Sequence, residues 1–149
     1  GVSCHSASME GNMMKISIKV CVIAPRDRVW AAYTTPDDII KWNAASDDWH
    51  TTKATVDLRT GGDFTSRMEA KDGSFGFDFS GTYTNVVIGH LLEYEFGGRT
   101  AKVAFSEVES GTQIDIEFDP EQENSVELQR DGWQAILNNF KQYVENKNS

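Results

Sequence analysis

The chain has 149 residues and a mass of 16.6 kDa, which is the size of one ordinary domain. Hydrophobic residues make up 39% of the chain, and no apolar run approaches the roughly 18 to 20 residues of a membrane span, which argues against disorder as the main state and against a membrane span. The formal net charge of −9 gives no general attraction to phosphate backbones, so nucleic acid is not expected as a partner.

The two ends of the chain show no periodic pattern. Residues 1–14 lack the basic and apolar regions of a signal peptide, and we interpret them as a disordered tail or a cloning remnant. Residues 15–146 are predicted to form a single domain, followed by a C-terminal tail at 147–149. Cys4 and Cys21 are too few for a disulfide framework, which favours a reducing, cytoplasmic location.

The first elements are a strand and two short helices. At residues 16–22 apolar side chains alternate with polar or small ones, which predicts a half-buried strand. Pro25 then favours the first turn of a helix that reaches about residue 33, and a second helix is predicted at residues 36–42. Residues 43–50 have neither a helical nor a strand period and are predicted to form a loop.

Six strands and a long helix follow. Glycine-containing turns separate the strands, and successive hairpins predict an antiparallel sheet with strands at residues 52–58, 63–70, 74–87, 90–96, 101–108 and 112–118. Asn124 and Glu127 resemble a capping box at the start of a helix that runs to about Asn146. Gly132 costs this helix about 1 kcal/mol relative to alanine, so we expect another part of the chain to approach its backbone closely there.

The order of elements predicts an α+β fold, because a doubly wound sheet would need helices between its strands. The simplest way to bury the apolar face of the long helix is to bend the antiparallel sheet around it. This arrangement is the helix-grip fold, with two short helices after the first strand and room for a cavity between sheet and helix. The apolar helix face comprises Gln129, Trp133, Ile136, Leu137, Phe140, Tyr143 and Val144.

Several short motifs, taken in order, carry a family resemblance that covers nearly all of residues 15–145. They are Ala24-Pro25 with Val29-Trp30, the segment from Lys41-Trp42-Asn43 to Asp48-Trp49-His50, the stretch 57–64, the stretch 68–73, Gly81-Thr82-Tyr83, and the stretch 129–143 with Gly132-Trp133. In this respect the chain resembles the START-like, Bet v 1-like (SRPBCC) superfamily and its AHSA1-like branch, named for the activator of Hsp90 ATPase and also polyketide cyclase-like. The resemblance implies the helix-grip fold, and it leaves open which of the superfamily's functions applies.

The leading candidate site is the cavity between the sheet and the long helix. Aromatic walls with a few polar groups are typical of a site for a small hydrophobic or aromatic molecule. The alternative interpretation is that the same side chains pack into a closed core. The candidate ligand-binding residues are Trp42, Trp49, His50, Phe64, Met68, Phe77, Phe79, Tyr83, Trp133, Ile136, Leu137 and Phe140.

The loop bracketed by Trp42 and Trp49 is predicted to cover the cavity entrance, with His50 at its rim. The alternative is a structural loop held by two buried indoles. For catalysis, the alternation of side chains places Asp78 on the face opposite Phe77 and Phe79, which favours a solvated surface charge. No metal or other cofactor is expected, because the histidines are scattered along the chain and no phosphate-binding glycine loop precedes a helix.

Three functions remain open from the sequence. The first is binding of a small hydrophobic or aromatic ligand, without catalysis. The second is a co-chaperone-like interaction with an Hsp90-type chaperone, which predicts exposed apolar residues on an outer face. The third is a cofactor-independent cyclase or hydrolase-like enzyme, which would need an acid or base buried in the cavity. A monomer and a homodimer are both compatible with the sequence.

Overall fold

The computed structural model describes residues 15–148, so the predicted tail at residues 1–14 lies outside the described part. Its elements in chain order are β1 (Ile16–Val22), α1 (Arg26–Thr34), α2 (Pro36–Trp42), β2 (Trp49–Val56), β3 (Asp63–Ala70), β4 (Gly76–Val87), β5 (Leu91–Phe96), β6 (Arg99–Val108), β7 (Gly111–Phe118) and α3 (Val126–Asn148). This order confirms the α+β prediction, and α3 ends at Asn148 instead of near Asn146.

The seven strands of the described chain form one antiparallel sheet in the order β1-β7-β6-β5-β4-β3-β2. The turn between β5 and β6 shows why the glycine signals predicted hairpins. Phe96 pairs with Arg99 across Gly97 and Gly98, whose φ angles are 59° and 82°. A two-residue hairpin of this kind needs left-handed backbone at both central positions. The sheet curves around α3, as the helix-grip prediction requires.

The buried face of α3 closes the core. Leu137, Phe140 and Val144 are almost completely buried, and α3 lies against β1. The helix begins with a cap that differs from the predicted one: the Ser125 hydroxyl accepts a hydrogen bond from the Leu128 N–H at 3.0 Å, so Ser125 and not Asn124 is the N-cap residue.

The start of β2 differs from its prediction. Trp49 and His50, predicted to lie in a loop, pair with Ala70 and Glu69 of β3, so the loop is confined to residues 43–48. The reason is a bulge: the register shifts between Thr51 and Lys53, which moves the inward-facing side chains from odd to even positions. This shift hides the period of two on which the sequence prediction depends.

Candidate functional site

A cavity of about 410 Å³ lies between α3 and the concave face of the sheet, and we call it the grip cavity. Its size falls in the range of about 300 to 1,000 Å³ that small-molecule sites occupy. Its residues come from α1, α2, the loop that follows α2, α3 and five of the strands. They are Tyr33, Ile39, Trp42, Asn43, Ala45, Trp49, Thr55, Val56, Phe64, Ser66, Met68, Phe77, Phe79, Tyr83, Leu92, Tyr94, Ile116, Gly132, Trp133, Ile136 and Leu137.

Most of the sequence-predicted residues lie on this wall. The structure brings together Trp42, Trp49, Phe64, Met68, Phe77, Phe79, Tyr83, Trp133, Ile136 and Leu137. Within this set, Phe64 touches Phe79 and Tyr83 with centroids 6.0 and 5.1 Å apart. In α3, β3 and β4 these residues lie on the side that lines the cavity, and their role in ligand binding stays a prediction.

Two predicted residues are placed elsewhere. Phe140 is completely buried and packs edge-on against Tyr33 and Trp42, with centroids 5.2 and 4.9 Å apart, so it belongs to the core beneath the wall. His50 follows the lining residue Trp49 in β2, and because successive strand side chains point to opposite faces, its ring lies on the convex side of the sheet.

The structure adds lining residues that were absent from the predicted set. Tyr33 reaches the cavity from the last turn of α1, Asn43 and Ala45 from the loop after α2, and Leu92 from β5. Tyr94 of β5, one of the positions that the strand pattern allows to face the long helix, lines the cavity as well. Tyr94 faces the cavity because it pairs directly with Tyr83 across β4 and β5, and directly paired residues share a face. No sequence signal was sufficient to place Tyr33 in the cavity, because the position of its side chain depends on how α1 packs against the sheet.

Gly132 has a different environment from the predicted one. A Cβ atom added at this position would meet nothing within 4 Å, so no other part of the described chain approaches the helix backbone there. Gly132 instead lines the grip cavity. The missing side chain leaves open space in the cavity.

The mouth of the cavity lies beside an exposed aromatic cluster. Trp49 touches Phe75 and Phe77 with both centroid distances at 5.9 Å, and Phe75 is 62% exposed while Phe77 is 41% exposed. Trp49 and Phe77 also line the cavity, so the cavity reaches solvent next to these rings. The Lys71 N–H donates to the Asp48 carbonyl at 2.8 Å and ties the hairpin between β3 and β4 to the loop.

The predicted covering loop is held in place at both of its ends. The Thr51 hydroxyl donates to the Asn43 carbonyl at 2.6 Å, and the Asn139 amide of α3 donates to the Ala44 carbonyl. Trp42 is buried and its indole N–H donates to the Ala32 carbonyl at 3.0 Å. Trp42 therefore belongs to the wall, and Trp49, in β2, stands at the mouth.

Charged side chains are missing from the cavity wall. No Asp, Glu, His, Lys or Arg is among the described residues that line it. Asp78 lies on the face of β4 opposite the cavity, and its side chain is 59% exposed. Its Oδ1 atom is 3.5 Å from Nη1 of Arg67. The prediction that Asp78 is a surface charge is therefore confirmed. Within the described range 15–148, no three His, Cys, Asp or Glu side chains are grouped closely enough to hold a metal ion.

Three phenols, those of Tyr33, Tyr83 and Tyr94, line the cavity together with the polar side chains of Asn43, Thr55 and Ser66. Burial raises the pKa of Tyr83 to about 12, and it raises the pKa of Tyr33 and Tyr94 well above the ordinary value. All three phenols are therefore neutral at physiological pH.

A curved antiparallel sheet that grips a long helix around an apolar cavity defines the helix-grip class of α+β proteins. Within that class, residues 23–145 match the family described as Activator of Hsp90 ATPase homolog 1-like protein. The chain belongs to this family. Among curated proteins, none matches the sequence significantly.

Solved structures agree with this placement. The solution structure of an AHSA1-like protein from Aeromonas hydrophila is 46% identical, covers 91% of this chain and 94% of its own, and superposes with a TM-score of 0.86. A protein from Cytophaga hutchinsonii is 47% identical over 89% of this chain and 93% of its own, with a TM-score of 0.77. A Nitrosomonas europaea protein at 21% identity, over 90% of this chain and 96% of its own, shares the fold with a TM-score of 0.77.

No helix of the described residues is both long enough and apolar enough to cross a bilayer.

Proposed function

We propose that this protein binds a small apolar or aromatic molecule in the grip cavity. The cavity wall is dominated by aromatic and aliphatic side chains, and the volume of the cavity suits a ligand of two or three rings. Its mouth at Trp49 and Phe77 offers an entry path. The lack of an ionisable acid or base other than the phenols favours binding over general acid and base catalysis.

The main support for this proposal is the open space beside Gly132 of α3. A glycine in a helix interior costs about 1 kcal/mol relative to alanine. Alanine would fit without a clash, since a Cβ atom there meets nothing within 4 Å. A chain that needed only a packed core would gain stability from a larger side chain at this position. The glycine therefore trades helix stability for cavity volume, which is expected of a ligand site.

A matched pair of variants tests the proposal. Gly132→Leu fills the cavity, whereas Asp131→Leu adds the same side chain at the neighbouring, exposed position of α3. The neutral fluorescent probe N-phenyl-1-naphthylamine should bind to the parent protein and to Asp131→Leu with similar affinity, and Gly132→Leu should lose at least tenfold. Equal affinity in all three proteins would locate the probe outside the cavity and contradict the proposal.

The family description favours a second candidate, an interaction with an Hsp90-type chaperone. Exposed apolar side chains such as Ile23, Ile88 and Leu128 offer apolar surface to a partner. If this function applies, the protein should raise the ATPase rate of a purified Hsp90, and Leu128→Ser or Ile88→Ser should reduce the effect. An unchanged ATPase rate at saturating protein would exclude it.

A further inference from the structure

Three of the chain's four tyrosines, Tyr33, Tyr83 and Tyr94, line the grip cavity. Tyr83 and Tyr94 are direct cross-strand partners, and their ring centroids are 6.5 Å apart. Tyr33 lines the same cavity from α1, where its ring packs against Trp42 and Phe140. These three tyrosines, which share the wall with the polar side chains of Asn43, Thr55 and Ser66, are called the phenol cluster below.

The hydroxyl groups of the phenol cluster have no hydrogen-bond partner in the described part of the chain. Within residues 15–148, none of them donates a hydrogen bond to another side chain or to the backbone, or accepts one. At the same time, the described residues contain no side-chain nitrogen or oxygen that is both sealed from solvent and unpaired. The three unpaired hydroxyls therefore keep accessible surface, and because all three residues line the cavity, they can bond to a molecule inside it.

The chemistry of the cluster selects the polar group of that molecule. A neutral phenol is a better donor than acceptor, because its ring withdraws lone-pair density from the oxygen. A carbonyl oxygen carries two lone pairs and can accept from two donors at once. Among residues 15–148, no lysine, arginine or histidine lines the cavity, so a carboxylate would be buried there without a counter-charge, which is strongly unfavourable.

We infer that the ligand is a neutral apolar molecule with a hydrogen-bond-accepting carbonyl, and that Tyr83 and Tyr94, with Tyr33 beside them, donate to that oxygen. The inference rests on the proposed binding function and adds the chemical class of the ligand. The remaining aromatic wall, including Phe64 between the two strand tyrosines, contacts the ligand's rings. Phe64 is held there by edge contact with Tyr94, with centroids 4.9 Å apart.

Three similar compounds test the class of ligand. Benzophenone carries a carbonyl between two phenyl rings, diphenylmethane lacks the oxygen, and diphenylacetate carries a carboxylate. Calorimetry should give benzophenone the highest affinity, about three- to tenfold above diphenylmethane for each hydrogen bond formed. Diphenylacetate should bind more weakly than either neutral compound.

Tyrosine variants test the residues. In Tyr83→Phe and Tyr94→Phe the benzophenone affinity should fall by about three- to tenfold, while the diphenylmethane affinity stays the same or rises. The control is Tyr143→Phe, because Tyr143 lies outside the cavity and donates to Asp38. It should leave both affinities unchanged. Thermal melting checks that each variant is folded.

An infrared measurement on the parent protein needs no variant. Hydrogen bonds lower the stretching frequency of a carbonyl, so bound benzophenone should absorb at a lower frequency than benzophenone in hexane. Equal affinities for benzophenone and diphenylmethane, a preference that persists in both tyrosine variants, or tighter binding of diphenylacetate would overturn the inference. If N-phenyl-1-naphthylamine binds in the cavity but none of the three compounds does, this inference fails and the proposed function stands. If nothing binds, both fail.

Discussion

The indole of Trp133 lies flat on the ring of Phe118, with centroids 3.8 Å apart and planes 8° from parallel. Phe118 is fully buried at the end of β7, so the stack fixes α3 to the sheet directly after Gly132. Trp133 also meets Phe79 edge-on at 6.4 Å, and both of these rings line the cavity. One side chain therefore joins the core to the wall, and core packing sets the width of the cavity at this point.

Replacement of Gly132 by alanine should stabilise the protein. The added methyl group raises helix propensity by about 1 kcal/mol and meets no other atom within 4 Å. We expect the free energy of unfolding in urea to rise by about that amount, with an unchanged dependence on denaturant. Destabilisation would mean that the helix is packed more tightly here than the structure indicates.

Phe140→Ala should be strongly destabilising, because the ring is completely buried between Tyr33 and Trp42. The expected loss in the free energy of unfolding is about 3 to 5 kcal/mol. Leu128→Ala on the same helix is the control, since Leu128 is 59% exposed and the change should stay within about 0.5 kcal/mol. A melting temperature for Phe140→Ala equal to that of the parent would place the ring outside the core.

The sequence patterns predicted which face of an element a side chain lies on better than how deeply that side chain is buried. Helical spacing correctly placed Trp133 and Phe140 on one face, but it could not tell that Phe140 lies beneath the wall while Trp133 reaches it. The start of β2 was predicted as a loop, because the bulge at Thr52 reverses the inward positions and hides the period of two. Tyr33 could not be assigned, because its place in the cavity depends on contacts between α1 and distant strands.

Trp49 and His50 are neighbours on opposite faces of β2, and their alanine variants should therefore differ. Trp49→Ala removes a ring from the mouth and should weaken binding of N-phenyl-1-naphthylamine by about two- to tenfold. His50→Ala should leave the affinity unchanged. Fluorescence titration measures both variants, and a larger effect at His50 would mean that the orientation of this strand is wrong.

Stability should decline at alkaline pH because of the buried phenols. An unfolded tyrosine ionises near pH 10, whereas Tyr83 keeps its proton up to a pKa of about 12 and burial raises the pKa of Tyr33 and Tyr94 as well. Above about pH 10 the unfolded state loses protons that the folded state retains, so the free energy of unfolding falls as pH rises and is unaffected by these groups below that pH.

Each such group contributes a slope of up to about 1.4 kcal/mol per pH unit. Urea unfolding of the parent and of Tyr83→Phe between about pH 9 and pH 11 measures it. The variant should show a shallower decline than the parent over this interval. Parallel curves would indicate that Tyr83 ionises equally in both states and is not buried.

The most direct measurement of cavity binding is an NMR experiment on the complex with N-phenyl-1-naphthylamine. Intermolecular nuclear Overhauser effects report which protons lie next to the probe. We expect contacts from the probe's ring protons to the methyl groups of Met68, Leu92 and Ile136, which line the cavity on opposite sides. Contacts confined to exposed residues such as Phe75 and Ile88 would show instead that the probe binds on the surface and that the cavity is not its site.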